Sequence, residues 1–178
     1  MRALRRHTAR HHERLEERLD IDARLVSLDA YRALLERLYG FYVPLEARLA
    51  PQVATVPGLD FPARRKTPLL IADLHALAGR AGPVATALPG VDTPARALGV
   101  LYVLEGATLG GKLIARDARR RLGVTPEAGA AFFAAYGSAA AARWRAFGAV
   151  VEAAHPDADE ACAAAAGCFE RMEAWLCG

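Results

Sequence analysis

Residues 102–112 place glycines inside an apolar pattern that otherwise predicts one long helix; they read Tyr-Val-Leu-Glu-Gly-Ala-Thr-Leu-Gly-Gly-Lys. A glycine in a helix interior costs about 1 kcal/mol relative to alanine, so the four glycines at 99, 106, 110 and 111 together cost roughly 4 kcal/mol. Gly99, Gly106 and Gly110 are seven and four residues apart and share one face of the helix. A face without side chains admits a close neighbour, which is either another helix or a flat ligand. The clustering favours the ligand, but both interpretations stay open here.

The rest of the chain predicts a soluble globular protein. Its 178 residues are 53% hydrophobic and 24% charged, which is typical of a globular domain. A chain of this length can bury about 70% of its unfolded surface in one core, so we expect a single domain over residues 1–178. No window approaches about eighteen uncharged apolar residues, and the basic N-terminus lacks the apolar run of a signal peptide. We therefore expect a cytoplasmic protein without a membrane partner.

Charge and cysteine content narrow the classes of partner. The net charge of +3 is too small, and the arginines are too mixed with glutamates, to indicate binding to nucleic acid. The mildly basic surface suits an acidic protein partner. The three cysteines, Cys162, Cys168 and Cys177, are odd in number and lack a second cluster that would complete a zinc site. We expect them to be reduced thiols in a reducing compartment.

Every periodic segment predicts a helix, and none shows the alternation or the turn signals of a β-hairpin, so the predicted fold class is all-α. Starts are marked by Thr67-Pro68, by Asp92 or Thr93 before Pro94, and by Thr125-Pro126-Glu127. Residues 51–62 are expected to form a loop. The predicted helices cover residues 2–20, 29–49 with a bend at Pro44, 67–79, 92–121, 125–137, 138–154 and 157–176.

The first helix carries histidines that can act as metal ligands. A ligating imidazole usually donates its other N–H to a carboxylate. His11 and His12 each lie about 50° from the centre of the apolar stripe, so periodicity does not choose between them. Glu16 lies one turn after His12, whereas Leu15 lies one turn after His11, and we therefore expect His12 to be the ligand. The other histidines are expected to be solvated or structural: His7, His75 and His155.

Two motifs carry a family resemblance. The first is Leu4-x-x-x-Thr8-x-x-x-His12-Glu13-x-x-Glu16. The second, about ninety residues later, is Tyr102-Val103-Leu104-Glu105-Gly106-x-x-Leu109-Gly110-Gly111. Together they resemble the heme oxygenase family, in particular the bacterial branch associated with bacteriophytochromes. The resemblance covers nearly the whole chain in order and length.

The resemblance implies an all-α fold in which heme lies between a proximal helix that bears the histidine and a kinked distal helix whose glycines cover the ring. His12 is then the proximal iron ligand, and Glu16 is the carboxylate that bonds it. Gly106 and Gly110 make the close backbone contacts where the chemistry occurs. The other implied heme contacts are Gly111, Arg5 at one propionate, and Arg143 or Arg145, near Trp144, at the other.

The activity implied by the resemblance is oxidative opening of heme at a meso carbon, with heme as both cofactor and substrate. The products are biliverdin, CO and ferrous iron. The implied partners are O₂, a ferredoxin or reductase that supplies electrons, and a bacteriophytochrome as biliverdin acceptor. Family members of the animal type carry an aspartate directly after the first distal glycine, and this chain has Ala107 there.

Two alternatives have different sequence support. A heme- or bilin-binding protein without turnover would have the same pocket. A di-iron carboxylate bundle is prompted by Glu152-x-x-His155, but such sites need this motif on two helices and the chain carries one copy.

Overall fold

The computed structural model describes residues 1–178 and contains seven α-helices and no β-sheet, which confirms the predicted all-α class. Short 3₁₀ turns lie at Pro62–Arg64 and Gly137–Ala139. The α-helices are α1 (Arg2–Leu19), α2 (Ile21–Arg24), α3 (Leu28–Val53), α4 (Thr67–Ala76), α5 (Pro94–Leu122), α6 (Ala140–Ala154) and α7 (Ala158–Cys177).

The ends of α5 follow the local signals in the sequence. The Thr93 side chain accepts a hydrogen bond from the Arg96 N–H, and Pro94 occupies the first helical position. Gly123 ends the helix with a φ of 75°, a left-handed conformation that glycine adopts without a steric penalty. All four glycines of the sequence pattern therefore lie within one uninterrupted helix.

The helix α7 is the centre of the fold, because both α1 and α5 pack along it. The first turns of α1 lie beside the first turns of α7, since Leu4 lines the same cavity as Ala161 and Cys162. Further along, Arg14 Nε donates to Glu173 Oε2 over 2.5 Å. The two helices therefore run in the same direction.

The helix α5 runs in that direction too. Thr93, the N-cap of α5, donates to Glu160 in the first turn of α7 over 2.7 Å. Further along both helices, Glu105 and Cys168 lie near the same buried phenol, that of Tyr42. Because α1 and α5 are both parallel to α7, they are parallel to each other. By length and composition α5 is apolar enough to cross a membrane, but 56% of that stretch is buried inside the fold.

Residues 125–137 do not form the predicted fifth helix, so that prediction was wrong. The Asp73 carboxylate accepts hydrogen bonds from the backbone N–H of Ala131 at 2.6 Å and of Phe132 at 2.8 Å. The Tyr31 hydroxyl donates to the Gly129 carbonyl over 2.9 Å, and Gly129 has a φ of +95°. These tertiary hydrogen bonds take the place of helical ones, and the start signal at residues 125–127 leads only into a turn.

The second predicted helix ends later than expected. Pro44 and Pro51 both lie inside α3, which continues to Val53, so the first residues of the predicted 51–62 loop are helical. The helix α4 ends at Ala76, before the predicted stop at Gly79. The short helix α2 lies in a segment that carries no periodic apolar pattern.

Candidate functional site

The helices α1 and α5 meet at Tyr102. Burial raises the pKa of the Tyr102 phenol, while the neighbouring Thr8 hydroxyl and the charge of Arg5 act to lower it, which places both side chains of α1 near this ring. Four residues advance a helix by about 6 Å. Because the two helices are parallel, His12 and Gly106 each lie one turn beyond this contact.

The side chain of His12 is accessible and has a carboxylate beside it. Its exposed fraction is 55%, and its Nδ1 lies 3.3 Å from Oε2 of Glu16. The ring of Phe169 on α7 lies edge-on to the imidazole, with 5.8 Å between the ring centroids. Pairing through Nδ1 leaves Nε2 of His12 available to an external ligand.

His11 also lies near a carboxylate, which the sequence comparison within α1 did not foresee. Its Nε2 is 3.7 Å from Oε1 of Glu170 on α7, and its side chain is 30% exposed. The Nε2 atom of His11 therefore faces a carboxylate of α7. The distinction between the two histidines now rests on position, because His12 continues the row that starts at the Thr8 contact with α5.

The face of α5 opposite this row is apolar and open. We call Gly106, Leu109, Gly110 and Leu113 the distal face, since helical spacing puts them on one side of α5. A Cβ added at Gly110 would meet nothing within 4 Å, and one at Gly106 would lie 3.7 Å from the ring of Trp144. Leu109 and Leu113 are 43% and 60% exposed, which is unusual for large apolar side chains.

The other two glycines have a different role. A Cβ at Gly99 would lie 2.1 Å from the Ala161 carbonyl oxygen, and a Cβ at Gly111 would lie 2.6 Å from the Phe133 carbonyl oxygen. Gly99 therefore lets α5 approach α7, and Gly111 lets it approach the 125–137 segment. Close packing explains these two glycines, whereas Gly110 has no packing partner.

The model of the heme oxygenase family matches residues 1–176 of this chain. The chain belongs to the heme oxygenase family. A heme oxygenase from Xanthomonas campestris pv. campestris (strain 8004) is 34% identical to it over 96 residues. That alignment covers 54% of this chain and 57% of the relative, so the chain spans little more than half the length of this curated relative.

The residues between α1 and α5 fit the group that this family name implies. Heme needs an axial ligand on one side and a surface that admits a flat apolar ring on the other. His12 offers a free Nε2 on α1, and Gly110 offers a helix surface without side chains, flanked by Leu109 and Leu113. A flat apolar ring on this surface would cover the two exposed leucine side chains.

The three arginines that the resemblance implies as propionate ligands differ in exposure and in neighbours. Arg5 is exposed on α1, beside Tyr102. The guanidinium of Arg143 lies 5.5 Å from the centroid of the Tyr136 ring, and its side chain is half-buried. Arg145 is exposed. Arg143 therefore faces the 125–137 segment, and Arg145 faces solvent.

A buried polar cluster lies directly behind the distal face, and the sequence did not predict it. Glu105, the residue before Gly106, is 1% exposed. Its carboxylate accepts from Arg64 Nη1 at 2.5 Å, from Lys66 Nζ at 2.8 Å and from the Tyr136 hydroxyl at 2.8 Å. A lone acid in the apolar run 100–109 was the signal that could have indicated such a cluster.

Burial sets the protonation of this cluster. Burial lowers the pKa of Lys66, and the neighbouring Glu105 acts in the opposite direction. Burial raises the pKa of Tyr136, and the charge of Glu105 raises it further. Tyr136 therefore stays a neutral donor to the carboxylate at neutral pH.

The residues of the di-iron alternative lie elsewhere. Glu152 and His155 line a cavity of about 270 Å³ between the start of α1, the end of α6 and the start of α7. None of the residues that the resemblance implies as heme contacts lines this cavity. No three His, Cys, Asp or Glu side chains group together as metal ligands, so the structure offers no second half for a di-iron site.

Proposed function

We propose that this chain is a heme oxygenase that opens heme to biliverdin, CO and ferrous iron, with O₂ and with electrons from an external ferredoxin or reductase. The proposal is carried by the position of the accessible His12 on α1 and of the open distal face on α5, each of which begins one turn beyond the place where Thr8 lies near Tyr102. Membership of the heme oxygenase family supports the same assignment.

On the proximal side, Glu16, whose Oε2 lies 3.3 Å from His12 Nδ1, would accept a hydrogen bond from Nδ1–H when heme is bound and would thereby leave the lone pair of Nε2 for the iron. Heme, when bound, supplies both the iron that activates oxygen and the ring that is cut. Arg5 binds one propionate in this proposal. Arg143 or Arg145 binds the other, and Arg145 is the more accessible of the two.

On the distal side, no acidic side chain belongs to the distal face. Ala107 places an exposed methyl group where the animal-type family members have an acid, and Glu105 points into the buried cluster. The polar groups that remain near Gly106 and Gly110 are backbone groups and the water they bind. Such water is a weak acid, and we therefore expect turnover to biliverdin without a distal carboxylate.

The physiological setting follows from the resemblance. We propose that the chain belongs to the bacteriophytochrome-associated branch and works in the cytoplasm. Its biliverdin would then pass to a bacteriophytochrome as chromophore. Neither a membrane nor a nucleic acid takes part in this proposal.

The test is titration with hemin followed by a single turnover with reductant and oxygen. A Soret band that is replaced by the spectrum of biliverdin is the expected result. Hemin binding without release of any verdin would instead identify a non-catalytic heme- or bilin-binding protein of the same fold.

A pair of variants tests the assignment of the ligand. We expect His12→Ala to lose the iron–imidazole bond, because only His12 lies in the row that faces α5, while His11→Ala keeps it. Resonance Raman and electron paramagnetic resonance spectra of the hemin complexes report that bond directly. Loss of the bond in His11→Ala, with His12→Ala unchanged, would reverse the assignment.

A further inference from the structure

We propose that the buried Glu105, Arg64 and Lys66 and the half-buried Tyr136, here called the Glu105 cluster, position the distal face against its ligand. The inference rests on the proposed function for the identity of that ligand. It assigns a role to a residue that touches no part of the candidate heme site. Glu105 acts here through the next residue, Gly106, and is a positioning residue.

The carboxylate of Glu105 joins α5 to two separate parts of the chain, the residues just before α4 and the 125–137 segment. Arg64 ends the 3₁₀ turn before α4, Lys66 is the N-cap of α4, and Tyr136 is the next-to-last residue of the 125–137 segment. All three donate to this one carboxylate, at 2.5, 2.8 and 2.8 Å. A shift of the Glu105 turn would break charge-assisted hydrogen bonds to all three at once.

The opposite side of the same turn provides only a weak anchor. Gly106 and Gly110 have no side chains, and a Cβ at Gly110 would meet nothing within 4 Å. The ring of Trp144, 3.7 Å from a Cβ added at Gly106, is the one neighbour on this side, so packing of the distal face holds these backbone groups only weakly in the free protein. The Glu105 cluster is the nearest set of specific bonds that can fix where they lie.

The conformation of Tyr136 supports a positioning role. Its φ of 65° lies in the left-handed region, which is costly for a residue with a side chain. Arg143 lies over its ring, and Lys66 Nζ lies 4.4 Å from the ring centroid and donates to the phenol oxygen at 2.9 Å. The strained backbone thus directs one hydroxyl at Glu105.

A second buried carboxylate provides a matched control. Glu46 is 2% exposed, and it accepts from the backbone N–H of Lys66 at 2.5 Å and of Thr67 at 3.3 Å. It lies on α3, pairs with Arg65 Nε over 3.2 Å and holds the backbone at the start of α4, but it bonds neither an atom of α5 nor the Lys66 ammonium that donates to Glu105. Loss of its charge should weaken the same region of the fold without releasing the distal face.

The experiment compares Glu105→Gln with Glu46→Gln in three measurements: the melting temperature of the free protein, amide hydrogen exchange over residues 104–112, and the rate of hemin transfer to apomyoglobin. We expect both variants to melt at lower temperature. Glu105→Gln should exchange faster over residues 104–112 and release hemin about tenfold faster, which corresponds to one charge-assisted hydrogen bond. Glu46→Gln should leave exchange and release within about twofold of the unmodified protein.

Equal effects of the two variants on exchange and hemin release would overturn the proposal, because a purely structural role predicts that both follow the loss of stability. Should Glu105→Gln fail to fold, Tyr136→Phe removes a single hydroxyl and should shift exchange and release in the same direction. Hydrogen exchange needs no heme, so it tests positioning even if the unmodified chain releases no verdin. The absence of verdin would contradict the proposed function alone.

Discussion

The same substitution at two glycines of α5 should have opposite effects on stability. Gly110→Ala adds a methyl group that meets nothing within 4 Å, so only the helix propensity changes. We expect a gain of about 1 kcal/mol. In a protein of this length that gain corresponds to a rise of about 2–4 °C in melting temperature.

At Gly99 the added Cβ would lie 2.1 Å from the oxygen, 2.8 Å from the carbon and 2.9 Å from the Cα of Ala161, all of them backbone atoms. Helix backbone cannot rotate away as a flexible side chain can. The overpacking cost of about 3 kcal/mol exceeds the propensity gain of about 1 kcal/mol, so we expect a net loss of about 2 kcal/mol. Urea unfolding of the free protein measures both changes.

A larger substitution at Gly110 tests whether the distal face binds hemin. Gly110→Leu should keep the gain in stability but place a side chain on the distal face, and hemin binding should weaken or the position of ring cleavage should change. Gly167 on α7 is the control, since it is also a helical glycine with open space at its Cβ and lies beside Pro89 and Arg96, away from this face. Gly167→Leu should leave hemin binding unchanged. Unaltered hemin affinity and product in Gly110→Leu, or a loss of stability in Gly110→Ala, would refute the assignment of Gly110 to a ligand surface.

Two further predictions concern α7. Hydrogen bonds from Arg14 and Arg18 hold the pKa of Glu173 below its usual value of 4.5, so the folded state binds this proton less readily than the unfolded state. The stability that these two ion pairs contribute is fully present above pH 4.5 and is lost as the pH falls through the lower pKa of the folded state. The melting temperatures of Glu173→Gln and of the unmodified protein should therefore converge in acid. Burial raises the pKa of Cys168, whose side chain is completely enclosed, while Cys177 is half-buried. A thiol reagent should therefore modify Cys177 in the native protein and Cys168 only after unfolding. Labelling of Cys168 before unfolding would contradict the packing of α7.

The sequence predicted α5 closely because its signals are local. The N-cap Thr93, the following Pro94 and the terminal Gly123 act on the turns in which they lie, and the structure uses each of them. The 125–137 segment carries an equally good local start signal. Its backbone hydrogen bonds go instead to Asp73 and Tyr31, which lie more than fifty residues earlier in the chain. Periodicity contains no information on such distant donors and acceptors.

The candidate site also contains contacts that the sequence could predict and contacts that it could not. His12 and Glu16 lie one turn apart on one helix, so their proximity could be predicted from spacing alone. The partners of Glu105 are 41 residues before it, 39 residues before it and 31 residues after it. The sequence shows that a carboxylate lies in an apolar run and must be paired, but the fold determines which cations and which hydroxyl pair with it.

Of the glycines in α5, Gly99 and Gly111 have close packing partners in the free protein, whereas Gly110 has none. Each costs about 1 kcal/mol against alanine, and Gly99 and Gly111 offset that cost because they let α5 approach Ala161 and Phe133 more closely than any side chain would permit. Gly110 gains no such contact, and the leucines beside it remain exposed to water. In the proposed complex, a flat apolar ligand on the distal face would cover these leucines, and its binding would offset the cost of the glycine. A ligand that binds only the folded state adds stability in proportion to the logarithm of its concentration above Kd, so hemin should raise the melting temperature of the unmodified protein more than that of Gly110→Leu.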